Sequence, residues 1–391
     1  MSTLVKDPDR TTGDIDAGFM NRAFELARRG LGSTSPNPIV GAVIVRDGDV
    51  VGEGYHERYG GPHAEVNALA MAGQKAAGAT LYVTLEPCSV SGNTPPCTDA
   101  ILSAGIARTV VPIEDPNPDV SGRGLDILRE AGIGVECGLM HDEARAINAP
   151  YFKYRSTGLP FTTLKLALSL DGRIAAPSGG PRWTSSPQSR AMVHRMRSTT
   201  DCVMVGIGTV LADDPRLTAR TPESGHRDPF ERQPARLVLD SGLRIPLDSA
   251  LVTGAGEART IVACGNEVSE AKATALEGAG VTVWPCEVRD GRLDIADVLR
   301  RAATEGLISV LSEGGAAVAT SLLEDGLVDR VSFFVAPRVY GAGGLPALGK
   351  LGDGWWKSGR TLSEGRWTTV GVDCLFEADV EDEGPSADEE D

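Results

Sequence analysis

Apolar and polar residues alternate along the chain in short blocks, and the spacing within each block predicts a helix or a buried strand. Between residues 17 and 29 the apolar side chains recur at helical spacing, which predicts a helix. Residues 39–45 are almost wholly apolar and rich in valine and isoleucine, which predicts a buried strand. Asp47-Gly48 then predicts a hairpin turn into a second strand at 50–54. The first predicted elements are therefore a helix and a β-hairpin.

Strands and helices continue to alternate beyond this hairpin. The pattern predicts helices at 63–72, 97–104, 122–131 and 140–154, and strands at 79–85, 108–113 and 135–138. Alternation of this kind is typical of an α/β sheet whose faces are covered by helices. We therefore expect residues 16–157 to form a layered α/β/α domain.

Gly158-Leu159-Pro160 interrupts the pattern and marks the expected domain boundary. Beyond it the pattern predicts strands at 161–170, 202–206, 236–239, 260–263, 281–284, 307–311, 328–336 and 368–378, with helices between them that include 187–198 and 209–212. Because 391 residues exceed what one core usually holds, we expect a second α/β domain at 158–380. The acidic residues 381–391 are expected to form a disordered tail.

Composition narrows the possible function classes. The net charge of -16 opposes nucleic-acid binding, which depends on lysine and arginine neutralising phosphates. No apolar run reaches the length of about eighteen residues that predicts a membrane span, and the N-terminal segment lacks the apolar core of a signal peptide. The 7 cysteines, an odd number, do not suggest a disulfide framework. We expect a cytoplasmic protein with reduced thiols and no membrane or nucleic-acid partner.

One short segment carries the residues of a catalytic zinc site. His63-Ala64-Glu65 is followed by Pro87-Cys88 and then by Cys97. One imidazole and two thiolates leave a tetrahedral zinc one ligand short, which leaves room for a water that zinc acidifies to a pKa of roughly 7. Glu65 stands where the zinc deaminases of nucleobases have their proton carrier. Eight residues separate the cysteines where the common motif has two, which indicates an inserted loop beside the site.

The second half contains weaker signals for an anion site. At residues 310–319 a predicted strand ends in Glu313-Gly314-Gly315 and enters a helix, where backbone N–H groups could meet a phosphate. Polar and basic residues also crowd the segment 213–220, behind Arg197 on the preceding helix. From these residues alone, a pocket for a sugar phosphate and a solvated loop with surface ion pairs are equally good interpretations.

Longer motifs around these residues resemble a known family, the bifunctional deaminase/reductase of riboflavin biosynthesis. In the first half the matching stretches are 35–38, 40–43, 63–65, 84–89, 94–97 and 115–118. In the second half they are 165–173, 206–215 and 313–315. The two halves stand in the family's order, so the resemblance covers nearly the whole chain.

The resemblance implies a cytidine-deaminase-like fold for the first domain and a dihydrofolate-reductase-like fold for the second. It also implies two consecutive reactions. A diaminopyrimidinone bearing a ribosylamino phosphate would lose a ring amino group by zinc-dependent hydrolysis, and NADPH would then reduce its ribosyl chain to a ribityl chain. The partner would be this small phosphorylated pyrimidine. We also expect the chain to form a homo-oligomer.

Site residues follow from the resemblance position by position. Zinc would be bound by His63, Cys88 and Cys97, and Glu65 would carry protons. The deaminase substrate would contact Asn37 and His56. NADPH would lie along Ala167, Trp183, Thr209, Asp213, Ser241 and Gly315. The reductase substrate would be held by Lys165, Arg197, Leu217, Arg220 and Glu313.

Three positions depart from the family pattern. Val90 replaces a usual His, Asn93 replaces a Lys or Arg suited to the substrate phosphate, and Pro181 replaces a Ser near the reductase substrate. Losing one charge-assisted hydrogen bond of this kind costs about 1.5 to 3 kcal/mol. Two alternatives therefore stay open: both activities act on a related heterocycle of a specialised pathway, or the first domain is a zinc-stabilised structural module without catalysis. Retention of Glu65 argues against the module, since a structural site needs no proton carrier.

Overall fold

The computed structural model describes residues 12–91, 95–220, 232–289, 291–352 and 359–381. The chain divides into two compact units, Met1–Gly158 and Leu159–Asp391. Two sequence-based expectations fall outside the described residues, namely the role of Asn93 and the disordered tail beyond residue 381. Within the described ranges no helix is long and apolar enough to cross a membrane.

The first unit alternates helices and strands as its sequence pattern predicts. Its helices are α1 (Thr12–Ala27), α2 (Ala64–Ala72), α3 (Cys97–Ser103), α4 (Arg123–Glu130), α5 (His141–Ile147) and α6 (Ala149–Thr157). Its strands are β1 (Gly41–Arg46), β2 (Asp49–Tyr55), β3 (Thr80–Val83), β4 (Arg108–Val111) and β5 (Gly134–Cys137). Single turns of 3-10 helix at Arg28–Gly30 and Gly73–Ala76 extend α1 and α2.

These strands form one sheet in the order β2-β1-β3-β4-β5, with β1 antiparallel to both neighbours and β3, β4 and β5 parallel. Helix α1 packs so closely on β1 that a Cβ at Gly41 would lie 2.0 Å from the carbonyl oxygen of Ala23. On the other face, a Cβ at Gly52 would lie 2.3 Å from the carbonyl oxygen of Ala68 in α2. Only glycine permits these approaches, and they place helices on both faces of the sheet.

The helix predicted at 140–154 is instead two helices, α5 and α6, with a break at Asn148. Asn148 has φ -111° and ψ 19°, and its side chain is buried. Its amide oxygen accepts from the N–H of Ile39 at 2.8 Å, and its amide nitrogen donates to the carbonyl of Ile39 at 2.9 Å. This tertiary pairing, together with Pro150 just beyond it, ends the first helix and begins the second.

The second unit is also α/β. Its helices are α7 (Pro187–Ser198), α8 (Ile207–Asp213), α9 (Ala250–Thr253), α10 (Glu270–Gly278), α11 (Ile295–Thr304) and α12 (Ala316–Glu324). Its strands are β6 (Phe161–Ser169), β7 (Arg173–Ala175), β8 (Cys202–Gly206), β9 (Ala235–Leu239), β10 (Thr260–Cys264), β11 (Thr282–Pro285), β12 (Val288–Arg289), β13 (Arg292–Leu293), β14 (Ser309–Ser312), β15 (Arg330–Ala336), β16 (Leu345–Pro346), β17 (Arg366–Val370) and β18 (Asp373–Asp379).

The large sheet of this unit has the order β11-β10-β9-β8-β14-β6-β15-β18-β17. Strands β11 to β15 in this order are parallel, and β18 and β17 run antiparallel at one edge. The single strand predicted at 368–378 is therefore a hairpin, because Gly371 with φ 65° permits a turn between β17 and β18. The carboxyl ends of β6, β8 and β14 meet at one edge of the sheet, where α/β proteins usually bind ligands.

Candidate active sites

The predicted zinc ligands come together at two helix starts and one strand end. His63 stands at the N-terminus of α2, Cys88 follows β3, and Cys97 is the first residue of α3. Nδ1 of His63 lies 3.2 Å from Sγ of Cys97 and 3.5 Å from Sγ of Cys88, and the three ligand atoms lie within 4.8 Å of one another. Tetrahedral zinc with bonds of roughly 2.0 to 2.3 Å holds its ligand atoms about 3.3 to 3.8 Å apart, so this donor set fits zinc.

The environment of Cys88 favours the thiolate that binds metal. Its sulfur accepts a hydrogen bond from the backbone N–H of Cys97 at 3.3 Å. Contact with the Cys97 thiol and then with His63 lowers the pKa of Cys88 to about 4, against the opposing effect of burial. Because the thiolate is the form that coordinates a metal, these contacts prepare Cys88 as a ligand.

Glu65 lies in the first turn of α2, close to the ligand cluster but outside it. Its side chain is buried, with the residue 3% exposed. Burial, together with the negative charge of Cys88, raises the pKa of Glu65 to about 7. A carboxyl group with a pKa near neutrality can both accept and donate a proton at physiological pH.

The ligand cluster and Glu65 line a cavity of about 350 Å³, and the two predicted substrate contacts line it too. Nδ1 of His56 lies 3.0 Å from the carbonyl oxygen of Pro62, so Nδ1 must be the protonated nitrogen. Nε2 of His56 can then accept from the amide nitrogen of Asn37 at 3.3 Å. Burial lowers the pKa of His56, which keeps the ring neutral. The structure therefore brings Asn37 and His56 together beside the metal ligands.

Sequence reasoning missed several other residues of this cavity. Asp115, Asn117, Tyr151 and Arg155 all line it. The Asp115 carboxylate accepts from the Tyr151 hydroxyl at 2.9 Å and from the Asn117 N–H at 2.8 Å. Residues 115–118 belong to one of the matching motifs, so the sequence could have placed them in the site. No local pattern marks Tyr151 or Arg155, because α6 reaches the cavity only through the tertiary fold.

Glu86 fixes one wall of the cavity. Its buried carboxylate accepts three backbone N–H groups, from Asp115 at 3.0 Å, Gly122 at 2.9 Å and Gly124 at 2.8 Å. A carboxylate bonded in this way ties the loop before α4 to the end of β3, one residue before Pro87-Cys88. The loop that carries Asn117 is therefore held in a fixed position relative to the metal ligands.

A second cluster of charged groups lies at the edge of the large sheet, directly after β14. Glu313 accepts from Nε of Arg197 at 2.6 Å and from Nη2 of the same side chain at 3.0 Å. Nζ of Lys165 lies 3.4 Å from the Glu313 carboxylate. Burial alone would favour the neutral acid, but the charges of Arg197 and Lys165 lower the pKa of Glu313 to about 2. Three of the predicted reductase substrate residues thus form one largely buried ionic network, with side-chain exposures of 9% to 13%.

The other two predicted substrate residues lie on the segment that follows α8. Leu217 is buried, with φ 53°, and Arg220 is exposed. Burial lowers the pKa of Arg220, and the neighbouring charges of Arg197 and Arg216 lower it further. Since like charges placed so close repel one another, this arginine cluster is suited to an anion that offsets the repulsion. Binding of the sugar phosphate by these residues stays a prediction.

The predicted NADPH residues lie on several elements of the second unit. Ala167 is in β6, Trp183 precedes α7, Thr209 and Asp213 are in α8, Ser241 follows β9, and Gly315 precedes α12. A Cβ at Gly315 would lie 3.7 Å from Oγ1 of Thr209, so these two positions are neighbours. The contacts of Ala167, Trp183, Asp213 and Ser241 with the cofactor stay predictions.

The start of α12 offers a suitable place for a cofactor phosphate. Gly315 stands at the N-cap position, and no side chain caps the first N–H groups of this helix. Such free N–H groups at a helix N-terminus bind phosphate. Trp183, 54% exposed, lies near the guanidinium groups of Arg182 and Arg190, at 5.2 and 5.3 Å from its ring centre. These features fit a dinucleotide with an anionic and an aromatic part.

Two of the three departures from the family pattern can be located. Val90 is 39% exposed and lines the first cavity, so an apolar side chain replaces a polar one at its wall. Pro181 is exposed and lies two residues before Trp183. Val90 therefore changes the lining of the deaminase cavity directly.

Comparison with known proteins covers both units. Residues 14–113 match the cytidine and deoxycytidylate deaminase zinc-binding region, and residues 160–373 match the RibD C-terminal domain. The riboflavin biosynthesis protein RibD of Aquifex aeolicus is 44% identical over 339 residues, which are 87% of this chain and 91% of that protein. RibD of Escherichia coli is 44% identical over 356 residues, which are 86% of this chain and 93% of that protein.

Solved structures give the same result for the fold. RibD of Acinetobacter baumannii superposes with a TM-score of 0.84 at 36% identity, covering 95% of this chain and 100% of that one. A deaminase/reductase of Thermotoga maritima superposes with a TM-score of 0.81 at 34% identity, with the same coverage. The expected deaminase-like fold followed by a reductase-like fold is confirmed. The chain belongs to the RibD family, the bifunctional zinc-dependent deaminases and NADPH-dependent reductases of riboflavin biosynthesis.

Proposed function

We propose that this chain carries out both family reactions on the riboflavin precursor. The first domain, 16–157, deaminates a diaminopyrimidinone that bears a ribosylamino phosphate, and the second, 158–380, reduces the ribosyl chain of the product to a ribityl chain. One observation carries the proposal: the His63, Cys88 and Cys97 cluster shares a cavity with the buried Glu65. The match to RibD over both units supports the second step as well.

In the deaminase site His63, Cys88 and Cys97 hold zinc, which when bound turns water into a nucleophile near neutral pH. Glu65 accepts a proton from the attacking water and returns protons to the ring and to the amino group, which leaves as ammonia while a carbonyl forms. The neutral His56 and the Asn37 amide orient the ring by hydrogen bonds. Burial of Glu65 supports this role, since exclusion of water strengthens its hydrogen bonds to the reacting atoms.

In the reductase site the cationic groups hold the sugar phosphate. Arg197 and Arg220 bind the phosphate, and Glu313 positions Arg197 through the paired hydrogen bonds at 2.6 and 3.0 Å. Lys165, held by the same carboxylate, supplies a proton to the oxygen of the opening ribose ring. NADPH, when bound, supplies the hydride to the opened sugar. The uncapped start of α12 supports binding of a cofactor phosphate beside Gly315.

A second candidate keeps both kinds of chemistry but acts on a related heterocycle. The observation that favours it is Val90, whose apolar side chain lines the deaminase cavity where the family usually has a His. The third possibility, a structural zinc module, is opposed by the burial of Glu65 in the wall of a cavity large enough for a ligand. Activity of the wild type and of Val90→His on the phosphorylated diaminopyrimidinone and on a related heterocycle would separate these two candidates. The first candidate predicts that the wild type prefers the diaminopyrimidinone, and the second predicts that it prefers the other heterocycle.

The test is a coupled assay on zinc-loaded protein with the phosphorylated diaminopyrimidinone, in which ammonia release and NADPH oxidation are followed separately. Ammonia release that is lost in Glu65→Gln, followed by NADPH oxidation, supports both steps. NADPH oxidation with the deaminated substrate but no ammonia release from the first substrate would show that the first domain has another substrate or none. Zinc content measured on both proteins controls for loss of the metal.

The proposal includes three further properties of the protein. The protein is a homo-oligomer, it is cytoplasmic, and it binds no nucleic acid. The net charge of -16 supports the last of these. Light scattering of the purified protein would test the first, and a monomer at micromolar concentration would contradict it.

A further inference from the structure

The deaminase cavity is acidic, and one arginine is the exception. Its lining includes the carboxyl groups of Glu65, Glu86 and Asp115. Among the described lining residues Arg155 is the one lysine or arginine. The proposed substrate carries a phosphate with a charge near -2, which an acidic cavity repels unless a cation compensates. A phosphorylated substrate therefore needs a cation at this site.

The geometry of Arg155 makes it available for that role. It is an exposed residue on α6, and its guanidinium carbon lies 5.4 Å from the centre of the Tyr151 ring and 5.9 Å from that of Tyr154. The two rings restrict where the guanidinium can point. In the part of the chain that the structure describes, no carboxylate forms an ion pair with Arg155. Aromatic contacts position the guanidinium, and although burial raises the pKa of Asp115 and the Arg155 charge acts to lower it, the two groups form no ion pair.

The carboxylate nearest in the lining is already engaged elsewhere. Asp115 accepts from the Tyr151 hydroxyl at 2.9 and 3.3 Å with its two oxygens, and from the Asn117 N–H at 2.8 Å. Asp115 is buried, whereas Arg155 is exposed at the cavity mouth. An anion arriving from solvent therefore meets Arg155 first, with the acidic groups deeper in the cavity.

The loop between Cys88 and Cys97 contributes one described residue to the cavity lining, and that residue carries no charge. Val90 lines the cavity with an apolar side chain. Because Tyr151 contacts Asp115 with its hydroxyl and Arg155 with its ring, α6 connects Arg155 to the wall that carries Asn117. A cation on α6 is thus fixed relative to the wall that carries Asn117.

We propose that Arg155 binds the phosphate group of the deaminase substrate at the cavity mouth and selects phosphorylated over dephosphorylated substrate. The inference rests on the proposed deaminase activity and adds a residue that determines specificity. A guanidinium can form two parallel hydrogen bonds with phosphate, so the interaction is both charged and directional. Partial exposure to solvent limits its effect to about tenfold in affinity.

The test uses the full-length zinc-loaded enzyme and two substrates, the phosphorylated diaminopyrimidinone and its dephosphorylated counterpart, with ammonia release as the readout. Arg155→Gln should raise KM for the phosphorylated substrate about tenfold and leave the dephosphorylated one within about twofold. Arg155→Lys keeps the charge and should recover most of the preference. Arg58→Gln is the matched control, because Arg58 is exposed and adjoins lining residues in sequence without lining the cavity itself.

Inorganic phosphate provides a second readout. It should inhibit the wild-type deaminase competitively, and Arg155→Gln should weaken this inhibition about tenfold. Equal losses on both substrates in Arg155→Gln, or an equal effect of Arg58→Gln, would overturn the role of Arg155 while leaving the deaminase activity in place. Wild-type enzyme that deaminates neither compound would overturn the proposed function itself, and the role of Arg155 with it. Zinc content and melting temperature identify a variant that fails to fold. If Arg155→Gln fails to fold, the test rests on Arg155→Lys, which should keep most of the preference for the phosphorylated substrate.

Discussion

Replacing Glu313 by glutamine should destabilise the second unit strongly. The side chain is buried and accepts two hydrogen bonds from Arg197, at 2.6 and 3.0 Å, with Lys165 at 3.4 Å. Glutamine has nearly the same shape but no charge, and its amide group must place an N–H toward one of the cations. The substitution therefore leaves two largely buried cations without their counterion.

The size of the expected destabilisation follows from the lowered pKa of Glu313. Its pKa is lowered from an ordinary 4.5 to about 2, although burial opposes the charged form, because Arg197 and Lys165 stabilise the carboxylate. At about 1.4 kcal/mol for each tenfold change in acidity, this difference corresponds to roughly 3 kcal/mol of folding free energy. Removing one partner of a buried ion pair typically costs about 3 to 5 kcal/mol, which is the same range.

The pH dependence has a definite sign. A carboxyl group with a depressed pKa in the folded state contributes its stability fully above its unfolded value of about 4.5 and loses it as the pH falls toward 2. The difference in unfolding free energy between wild type and Glu313→Gln should therefore be roughly 3 kcal/mol at pH 7 and less than half of that at pH 3.

Tryptophan fluorescence can measure this in the full chain. All 5 tryptophans lie between residues 183 and 367, so their emission during urea unfolding reports the second unit. Glu305→Gln is the matched control, because the exposed ion pair of Glu305 with Arg259 should contribute less than about 1 kcal/mol. An unfolding free energy of Glu313→Gln within about 0.5 kcal/mol of wild type at pH 7, or a difference that does not change with pH, would refute the reasoning.

Three other outcomes are expected. Glu86→Gln should lower the free energy of unfolding of the first unit by about 1.5 to 3 kcal/mol, because the glutamine amide cannot accept all three backbone N–H groups. Faster hydrogen exchange of those three N–H groups and a lower deaminase kcat/KM would show the effect. The exposed Glu136→Gln is the control. A chelator that strips zinc should abolish ammonia release but leave NADPH oxidation unchanged with the deaminated substrate, since all three ligands lie in the first unit; equal loss of both activities would contradict this. Asn148→Ala should lower the free energy of unfolding of the first unit by about 2 to 4 kcal/mol, as it leaves the buried N–H and C=O of Ile39 unpaired, and circular dichroism during denaturation would detect it.

Local patterns predicted most elements, and the three predicted zinc ligands come together in a cluster that fits the metal. The spacing of His63, Glu65 and Cys88 is set by a strand end and a helix start, both of which leave clear marks in the sequence. Such features depend on neighbours along the chain, so a single sequence contains the information needed. The family resemblance added the second cluster, whose members Arg197 and Glu313 lie 116 residues apart.

What the sequence did not reveal depends on contacts between distant segments. The helix break at Asn148 is invisible in the apolar spacing, because it arises from hydrogen bonds to Ile39, 109 residues away. Arg155 has no local signal either, since only the packing of α6 brings it to the cavity. The hairpin at Gly371 resembles one strand in sequence because the two strands have similar composition and a two-residue turn. In each case contacts in the folded chain determined the structure, because the local sequence was compatible with more than one conformation.

The base of the loop between the two cysteines is closed by the cysteines themselves. The N–H of Cys97 donates to the sulfur of Cys88 at 3.3 Å, and the N–H of Thr98 donates to the carbonyl of Cys88 at 3.3 Å. These bonds fix the ends of the loop whatever lies between them. Insertions, deletions and substitutions can therefore accumulate in the loop during evolution while the metal ligands keep their positions. The fold separates a catalytic centre that must not change from a neighbouring segment that is free to diversify toward new substrates.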